Sequence, residues 1–393
     1  LNSKILLALF FVLVLAVSVS AENQRAYFKI KDLEGFNAIA AYARHSFPSG
    51  SISIEASENA IDGLKHNPHL EFVGYANKWY IKGNPTGDLG AAGGIKGKPS
   101  TRPCLLSGYG LPQVWYGVKQ VYNNFSITST SGGAGVNVAV LDTGAAQHLD
   151  LKSNIKLCLD ATGNGIKNGC SDRDGHGTHV AGIIAANAGL DKKGIYGVAP
   201  QANLWIYKVC GTYCWSDDVA RAINDATNKG TNIISMSFGG TGLAADEKAA
   251  LDYAYDHGVL LVAAAGNAGP AYSTIEYPGA YYKVMAIAAI DDQYATADFS
   301  SRGVNDDDYI IEEREVEMAA GGVNVLSTYK DGCYAYYWGT SQATPHISGL
   351  AAKLWQGSGT ATRTYLQNRA RLWDLDANGD DPATGFGLPT VSN

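Results

Sequence analysis

From Val136 onward, apolar runs of strand length alternate with stretches of helical spacing. That alternation leaves few folds open to the chain. Residues 136–141, 203–209, 232–237, 259–264 and 284–290 read as strands, and 176–188, 216–228, 243–256 and 341–355 as helices. Ser216 suits the N-cap of the second helix and Gly230 its stop. Near-continuous apolar runs mark strands buried on both faces. The predicted fold class is therefore α/β, a parallel sheet covered by helices on both faces. With 393 residues and 46% hydrophobic content, the chain can bury a large core and carry more than one domain. No internal repeat interrupts the pattern. In such sheets, functional groups gather at the carboxyl ends of strands and the starts of the following helices.

Three segments at such positions hold an acid, a base and a nucleophile. They are Val138-Ala139-Val140-Leu141-Asp142-Thr143-Gly144, Asp174-Gly175-His176-Gly177-Thr178-His179, and Gly339-Thr340-Ser341-Gln342-Ala343. A serine hydroxyl needs a base within hydrogen-bond reach, histidine has the right basicity, and a carboxylate fixes its tautomer. A fourth segment, Ala263-Ala264-Ala265-Gly266-Asn267, supplies a side-chain amide for an oxyanion. Taken singly, Asp142 reads as a turn residue, Ser341 as a helix cap and Asn267 as a turn asparagine; together they read as one site. His176 and His179 lack the glutamate of a His-Glu-x-x-His zinc site, so His179 is expected to be structural. The nucleophile segment is not the Gly-x-Ser-x-Gly elbow of an esterase, and the order Asp, His, Ser differs from that of chymotrypsin. In motifs and order, residues 113–388 resemble the subtilisin-like serine proteases, the subtilases.

That resemblance implies a substrate cleft. Ser237, Phe238 and Gly239 match the strand that pairs with an extended peptide, and Ala264 and Gly266 match the opposite wall of the S1 pocket. Trp215 falls where an aromatic rims S4, and Glu276, before Tyr277-Pro278, falls at the base of S1, a position usually small or neutral. A carboxylate there implies preference for Lys or Arg at P1. Structural Ca2+ is implied at Asp150, with Asp191 on the partner loop and Gln113 contributing an oxygen. The partner loop departs from the family pattern by carrying Lys192 and Lys193. Asp374-x-Asp376-x-Asn378-Gly379 looks like half an EF-hand, but its twelfth position is Gly385, and the expectation is a solvated acidic turn. The insertion 305–317 carries seven carboxylates, matches no family segment, and is expected to be a solvated loop.

Upstream, residues 1–21 read as a secretory signal peptide, with Lys4, an apolar run from Ile5 to Val17, and small residues at Val19-Ser20-Ala21. Residues 22–82 alternate strands with two short helices, one expected over 36–44, and resemble the inhibitory propeptide of subtilases. Alignment of Phe72-Val73-Gly74-Tyr75 with the last strand of such a propeptide places Lys82 in S1, Ile81 in S2 and Trp79 in S4. Residues 83–110 read as a Gly/Pro-rich linker and 111–393 as the catalytic domain. Six cysteines in an exported chain suggest three disulfides. Fifteen pairings are possible, and the expected one joins Cys158 to Cys170, Cys210 to Cys214 and, by elimination, Cys104 to Cys333. A net charge of −7 argues against nucleic acid as a partner. The expectation is a secreted, monomeric serine endopeptidase acting on protein substrates. It would be inhibited by its own propeptide, self-processed, and free of the membrane once the signal is cut. The competing readings are a non-catalytic binding relative and a lipid esterase.

Overall fold

The computed structural model describes residues 23–81, 84–85 and 111–392. The expected signal peptide, Lys82 and most of the expected linker, Cys104 included, lie outside the described residues.

In the N-terminal domain, β1 (Gln24–Ile30) is followed by α1 (Leu33–Ile39), β2 (Ala43–Ser46), β3 (Ser51–Ala56), α2 (Glu58–Lys65) and β4 (Leu70–Tyr75). The strands form an antiparallel sheet in the order β2-β3-β1-β4. Because strand side chains alternate, β1 turns Ala26 and Phe28 to its own helices and Arg25 and Tyr27 to the catalytic domain. The helix expected over 36–44 stops at Ile39, and Ala43 and Arg44 enter β2 instead. Tertiary contacts decide this, because Arg44 is held by Glu55 and, across the domain boundary, by Asp217 and Asp218.

Two short strands then leave the sheet, β5 (Lys78–Ile81) and β6 (Asn84–Pro85). Two residues of the expected linker, Asn84 and Pro85, therefore lie in strand pairing. The catalytic domain follows with α3 (Tyr116–Tyr122), β7 (Asn137–Asp142), β8 (Ile155–Asp160), β9 (Lys167–Asn168), α4 (His176–Ala185) and β10 (Asn203–Lys208). Next come β11 (Cys214–Trp215), α5 (Ser216–Asn228), β12 (Ile233–Met236), β13 (Phe238–Gly239) and α6 (Ala245–Asp256). The chain ends with β14 (Leu260–Ala264), β15 (Met285–Ile290), β16 (Met318–Gly321), β17 (Val325–Thr328), β18 (Tyr334–Trp338), α7 (Thr340–Lys353) and α8 (Gly359–Ala370).

The central sheet runs β16-β15-β14-β12-β7-β10-β8-β9 and is parallel except for β9. Along β7, Val138 and Val140 pack in one core with Ile184 and Ile347 of α4 and α7. Ala139 and Leu141 pack in the other with Val219, Ile223 and Leu251 of α5 and α6. The predicted α/β class holds, with helices on both faces.

Two local expectations need correction. Ser216 is the first residue of α5 and not its cap; its hydroxyl instead accepts the Asn77 N–H at 2.8 Å and meets the Tyr27 hydroxyl at 3.2 Å. The helix from His176 ends at Ala185, three residues early, where Asn187 bridges to Tyr196 and Ala188 turns to positive φ. Cys158–Cys170 and Cys210–Cys214 are bonded as expected. Cys333 is also disulfide-bonded, and its expected partner lies outside the described residues.

Candidate active site

Asp142 ends β7, His176 opens α4 and Ser341 sits in the first turn of α7, so three elements of one sheet deliver the three groups. The approach of α4 to β7 depends on small residues. A Cβ on Gly177 would fall 2.2 Å from the Gly144 carbonyl, and one on Gly144 would fall 2.2 Å from the Cys170 carbonyl. Asp142 Oδ1 accepts from His176 Nδ1 at 2.8 Å. That bond places the second imidazole nitrogen, Nε2, as the proton acceptor, and Nε2 is buried with no partner. Burial works to lower the His176 pKa, but the Asp142 charge and hydrogen bond outweigh it and leave the imidazole raised. His179 is neutral and structural, as expected: burial drives its pKa down to about 3, and Nε2 faces the carbonyls of Val325 and Ala335.

The Ser341 hydroxyl donates to the Ser237 carbonyl at 2.6 Å, and the Ser237 hydroxyl donates to the Ser341 carbonyl at 3.0 Å. Pro345 explains the second bond. It lies four residues after Ser341 and has no N–H to give that carbonyl. Attack requires the nucleophile to leave the Ser237 carbonyl for His176. Asn267 uses its Oδ1 to accept from the Thr340 N–H and hydroxyl, at 3.0 and 2.9 Å. This turns its amide NH2 away from Thr340. The sequence reading missed Thr340 and Ser237 as positioning groups. The proline in the motif was the available signal for Ser237.

The cleft is filled by the chain itself. β5 inserts between β11 and β13, antiparallel to both, pairing Ile81 with Phe238, Tyr80 with Gly239, Trp79 with Cys214 and Lys78 with Trp215. Trp79 is fully buried, stacks on Phe238 at 5.4 Å, and lies where a Cβ on Gly240 would approach within 2.7 Å. Beyond the gap, β6 pairs with β18, Asn84 opposite Trp338 and Pro85 opposite Tyr337. The Glu276 side chain lies between the two expected S1 walls: a Cβ on Gly239 would meet Oε2 at 2.9 Å, and one on Gly266 would meet Cγ at 2.9 Å. Ala264 ends β14 beside them. Trp215 turns its ring to the Arg25 guanidinium at 4.6 Å and the Lys78 ammonium at 4.8 Å.

The domain boundary beside this cleft is charged. Arg25 Nη1 donates to Asp217 Oδ1 and Asp218 Oδ2 at 2.9 and 2.8 Å, and Arg44 reaches both carboxylates as well. His45 Nε2 lies 2.9 Å from Asp218 Oδ1, and Ser49 and Ser51 donate to Asp246 of α6. No sequence motif marked Asp217 and Asp218, so this role was not visible there.

The expected calcium residues also meet. Asp150 is buried, and its Oδ2 accepts from the Ile195 N–H and the Tyr334 hydroxyl. Its Oδ1 and that of Asp191 would lie 3.3 and 3.4 Å from a Cβ on Gly189, so the two carboxylates converge. Gln113 Nε2 donates to the Lys192 and Gly194 carbonyls on the same loop, at 2.6 and 3.2 Å.

A buried acid–base–nucleophile set with a peptide strand paired into the adjoining sheet is the arrangement of a peptide-bond-cleaving serine hydrolase. Residues 133–387 match the model of the subtilase family, and the chain belongs to that family, as a serine endopeptidase. It is 45% identical to a subtilisin of Bacillus sp. (strain TA39) over 302 residues, covering 70% of this chain and 72% of the relative. It is 40% identical to the major intracellular serine protease of Bacillus subtilis (strain 168), covering 56% and 68%. Among solved structures, sphericase superposes with a TM-score of 0.69 at 47% identity, covering 71% of this chain and 99% of that one. Fervidolysin from Fervidobacterium pennivorans, a keratinolytic enzyme related to subtilisin, superposes with a TM-score of 0.70 at 26% identity. That match covers 94% of this chain, reaching beyond the family model into the N-terminal domain.

Proposed function

We propose that this is an exported endopeptidase made as a self-processing precursor, in which residues 22–82 are an inhibitory propeptide and the first bond cut is Lys82–Gly83. The placement of β5 between β11 and β13, and of β6 beside β18, which runs into α7 and Ser341, carries the reading. The chain enters as a substrate would, with Trp79 in S4. His176 Nε2 takes the Ser341 proton as the oxygen attacks the carbonyl, and Asp142 stabilises the imidazolium. Asn267 and the Ser341 N–H receive the oxyanion. The imidazolium then gives its proton to the leaving amine, and water hydrolyses the acyl-enzyme by the same steps in reverse. The cut propeptide would stay bound as an inhibitor through β5 and the Arg25–Arg44 contacts. Purified wild type should acquire an N-terminus at Gly83, and a Ser341→Ala chain should stay intact. Maturation of Ser341→Ala in a protease-free preparation would overturn the reading.

The same site supports a preference for Lys or Arg at P1. Glu276 sits between Gly239 and Gly266, and a half-buried carboxylate there favours a cation and repels an acid. Glu276→Gln should lower kcat/KM for P1 Lys peptides about 10-fold or more while sparing P1 Phe or Leu. An unchanged ratio refutes the assignment.

A structural Ca2+ at Asp150, Asp191 and Gln113 fits the residues present, since two carboxylates converge on a loop whose carbonyls Gln113 already addresses. When bound, the ion would neutralise the carboxylates and fasten the 189–195 loop to Asp150. EDTA should shorten the half-life of thermal inactivation, and Asp150→Asn should abolish that calcium effect. Export rests on the signal-like residues 1–21 and the disulfides, because family membership alone leaves location open. Among the described residues, no helix is long and apolar enough to cross a membrane.

A further inference from the structure

Two aromatic rings receive the Lys78 side chain. Lys78 pairs with Trp215 across β5 and β11, and its ammonium lies 4.8 Å from the ring centroids of both Trp215 and Tyr213. Side chains on a strand alternate, so Lys78 shares a face with Tyr80, whose ring meets Tyr213 edge-on at 5.5 Å. Trp79, between them, turns the other way and is fully buried. Trp215, expected at the rim of S4, thus gives its ring to the residue upstream of the S4 occupant. If Lys82 is P1, that residue is P5.

Both rings sit on braced backbone. Tyr213 lies inside the turn closed by the Cys210–Cys214 disulfide, where its carbonyl accepts the Gly211 N–H at 3.0 Å. The strand is held on either side of Lys78. Trp79 pairs with Cys214, and Asn77 gives its N–H to the Ser216 hydroxyl at 2.8 Å and accepts the Ser216 N–H at 3.0 Å. Main-chain pairing of this kind serves any sequence, whereas the side-chain sites choose among residues. An aromatic face attracts a cation and offers no such attraction to a neutral or acidic group. The Trp215 ring also lies 4.6 Å from the Arg25 guanidinium, so it meets a second cation of the N-terminal domain. A recess of about 340 Å3 lined by Arg25, Tyr213, Trp215 and Asp218 adjoins the rings. When the N-terminal domain leaves, Arg25, Arg44 and His45 go with it. Asp217 and Asp218 then keep their charge beside the rings and add to the attraction for a cation.

We propose that Tyr213 and Trp215 form a cation-selective S5 subsite in the processed enzyme, which therefore favours extended polypeptides carrying Lys or Arg at P5 as well as at P1. The numbering of the subsite rests on the reading of Lys82 as P1. The selectivity goes beyond that reading, because self-cleavage of one attached segment does not require the free enzyme to discriminate at P5.

The test uses processed wild-type enzyme and N-terminally blocked peptides with the sequence of residues 78–84, Lys-Trp-Tyr-Ile-Lys-Gly-Asn, in which the first lysine is kept or replaced by norleucine, trimethyllysine or Glu. Products are identified by mass. Lysine at P5 should raise kcat/KM about 5-fold or more over norleucine, which keeps the hydrocarbon and drops the charge. Trimethyllysine should keep the advantage, since attraction to a ring needs no N–H, and Glu should fall below norleucine. Tyr213→Leu should bring lysine and norleucine within about 2-fold, while the ratio between P1 Lys and P1 Leu peptides stays as in wild type. Equal rates for lysine and norleucine, with the cut after the P1 lysine, overturn the subsite and leave the self-processing reading standing. A cut at another bond overturns that reading and the P5 assignment with it. A lysine preference that survives both Tyr213→Leu and Trp215→Leu overturns the role of the rings. The wild-type series depends on no variant folding.

Discussion

At the scale of single residues, catalysis here depends on groups held in one orientation by a neighbour. His176 is poised by Asp142, which raises an imidazole that burial alone would lower. The base must be neutral to work, so kcat/KM should fall on the acid side, with that limb above the ordinary histidine value of about 6.5. In Asp142→Asn the charge is gone and burial remains. The limb should move to lower pH while kcat drops by about four orders of magnitude. A pH–rate profile whose acid limb stays in place contradicts the assignment. Ser237 has a different task, supplying the donor that Pro345 cannot give to the Ser341 carbonyl. Ser237→Ala leaves that carbonyl without its donor and should cost about 1–3 kcal/mol in stability. Denaturant melts of an inactive Ser341→Ala background would measure it without self-digestion.

Among the elements, β5 links the N-terminal domain to the catalytic one. It is four residues long, yet it is hydrogen-bonded on both sides and anchored by one buried indole. Trp79→Ala would empty the space against Phe238 and remove about 3–5 kcal/mol of packing. With residues 22–82 as the proposed propeptide, the cut segment should then leave faster, and the lag between self-cleavage and full activity should shorten by at least about 10-fold. A lag equal to wild type would mean that the tryptophan contributes nothing to retention.

For the whole molecule, the two domains are joined by a buried cluster of charges. Burial disfavours the Asp217 carboxylate, but Arg25, His45 and Arg44 outweigh it and hold its pKa below the usual carboxylate range. A depressed acid pKa contributes affinity that is present above the value of the free carboxylate and lost as pH falls through the bound value. Domain association should therefore be insensitive to Asp217 titration near neutral pH and weaken below about pH 4. Arg25→Ala leaves two buried carboxylates with one fewer partner. It should weaken docking by about 3–5 kcal/mol, seen as earlier release of the propeptide after cleavage. Release at the wild-type rate would show that the pair carries no net affinity.

Much of this was legible in one dimension, for a physical reason. Strand period, helix spacing and the demands of acyl-transfer chemistry are local, so the parallel sheet and the places of Asp142, His176, Asn267 and Ser341 could be read before any contact was known. Glu276 was legible too, because its neighbours Tyr277-Pro278 mark its place in the chain. Other assignments had no local signature. Ser216 looks like a cap, and only the docked N-terminal domain makes it a partner for Asn77 and Tyr27. Asp217 and Asp218 carry no motif, and Arg44 looks like part of a helix, until two distant surfaces bury them together. The chemistry of each group is a property of the residue, whereas its desolvation and its partners are properties of the folded arrangement.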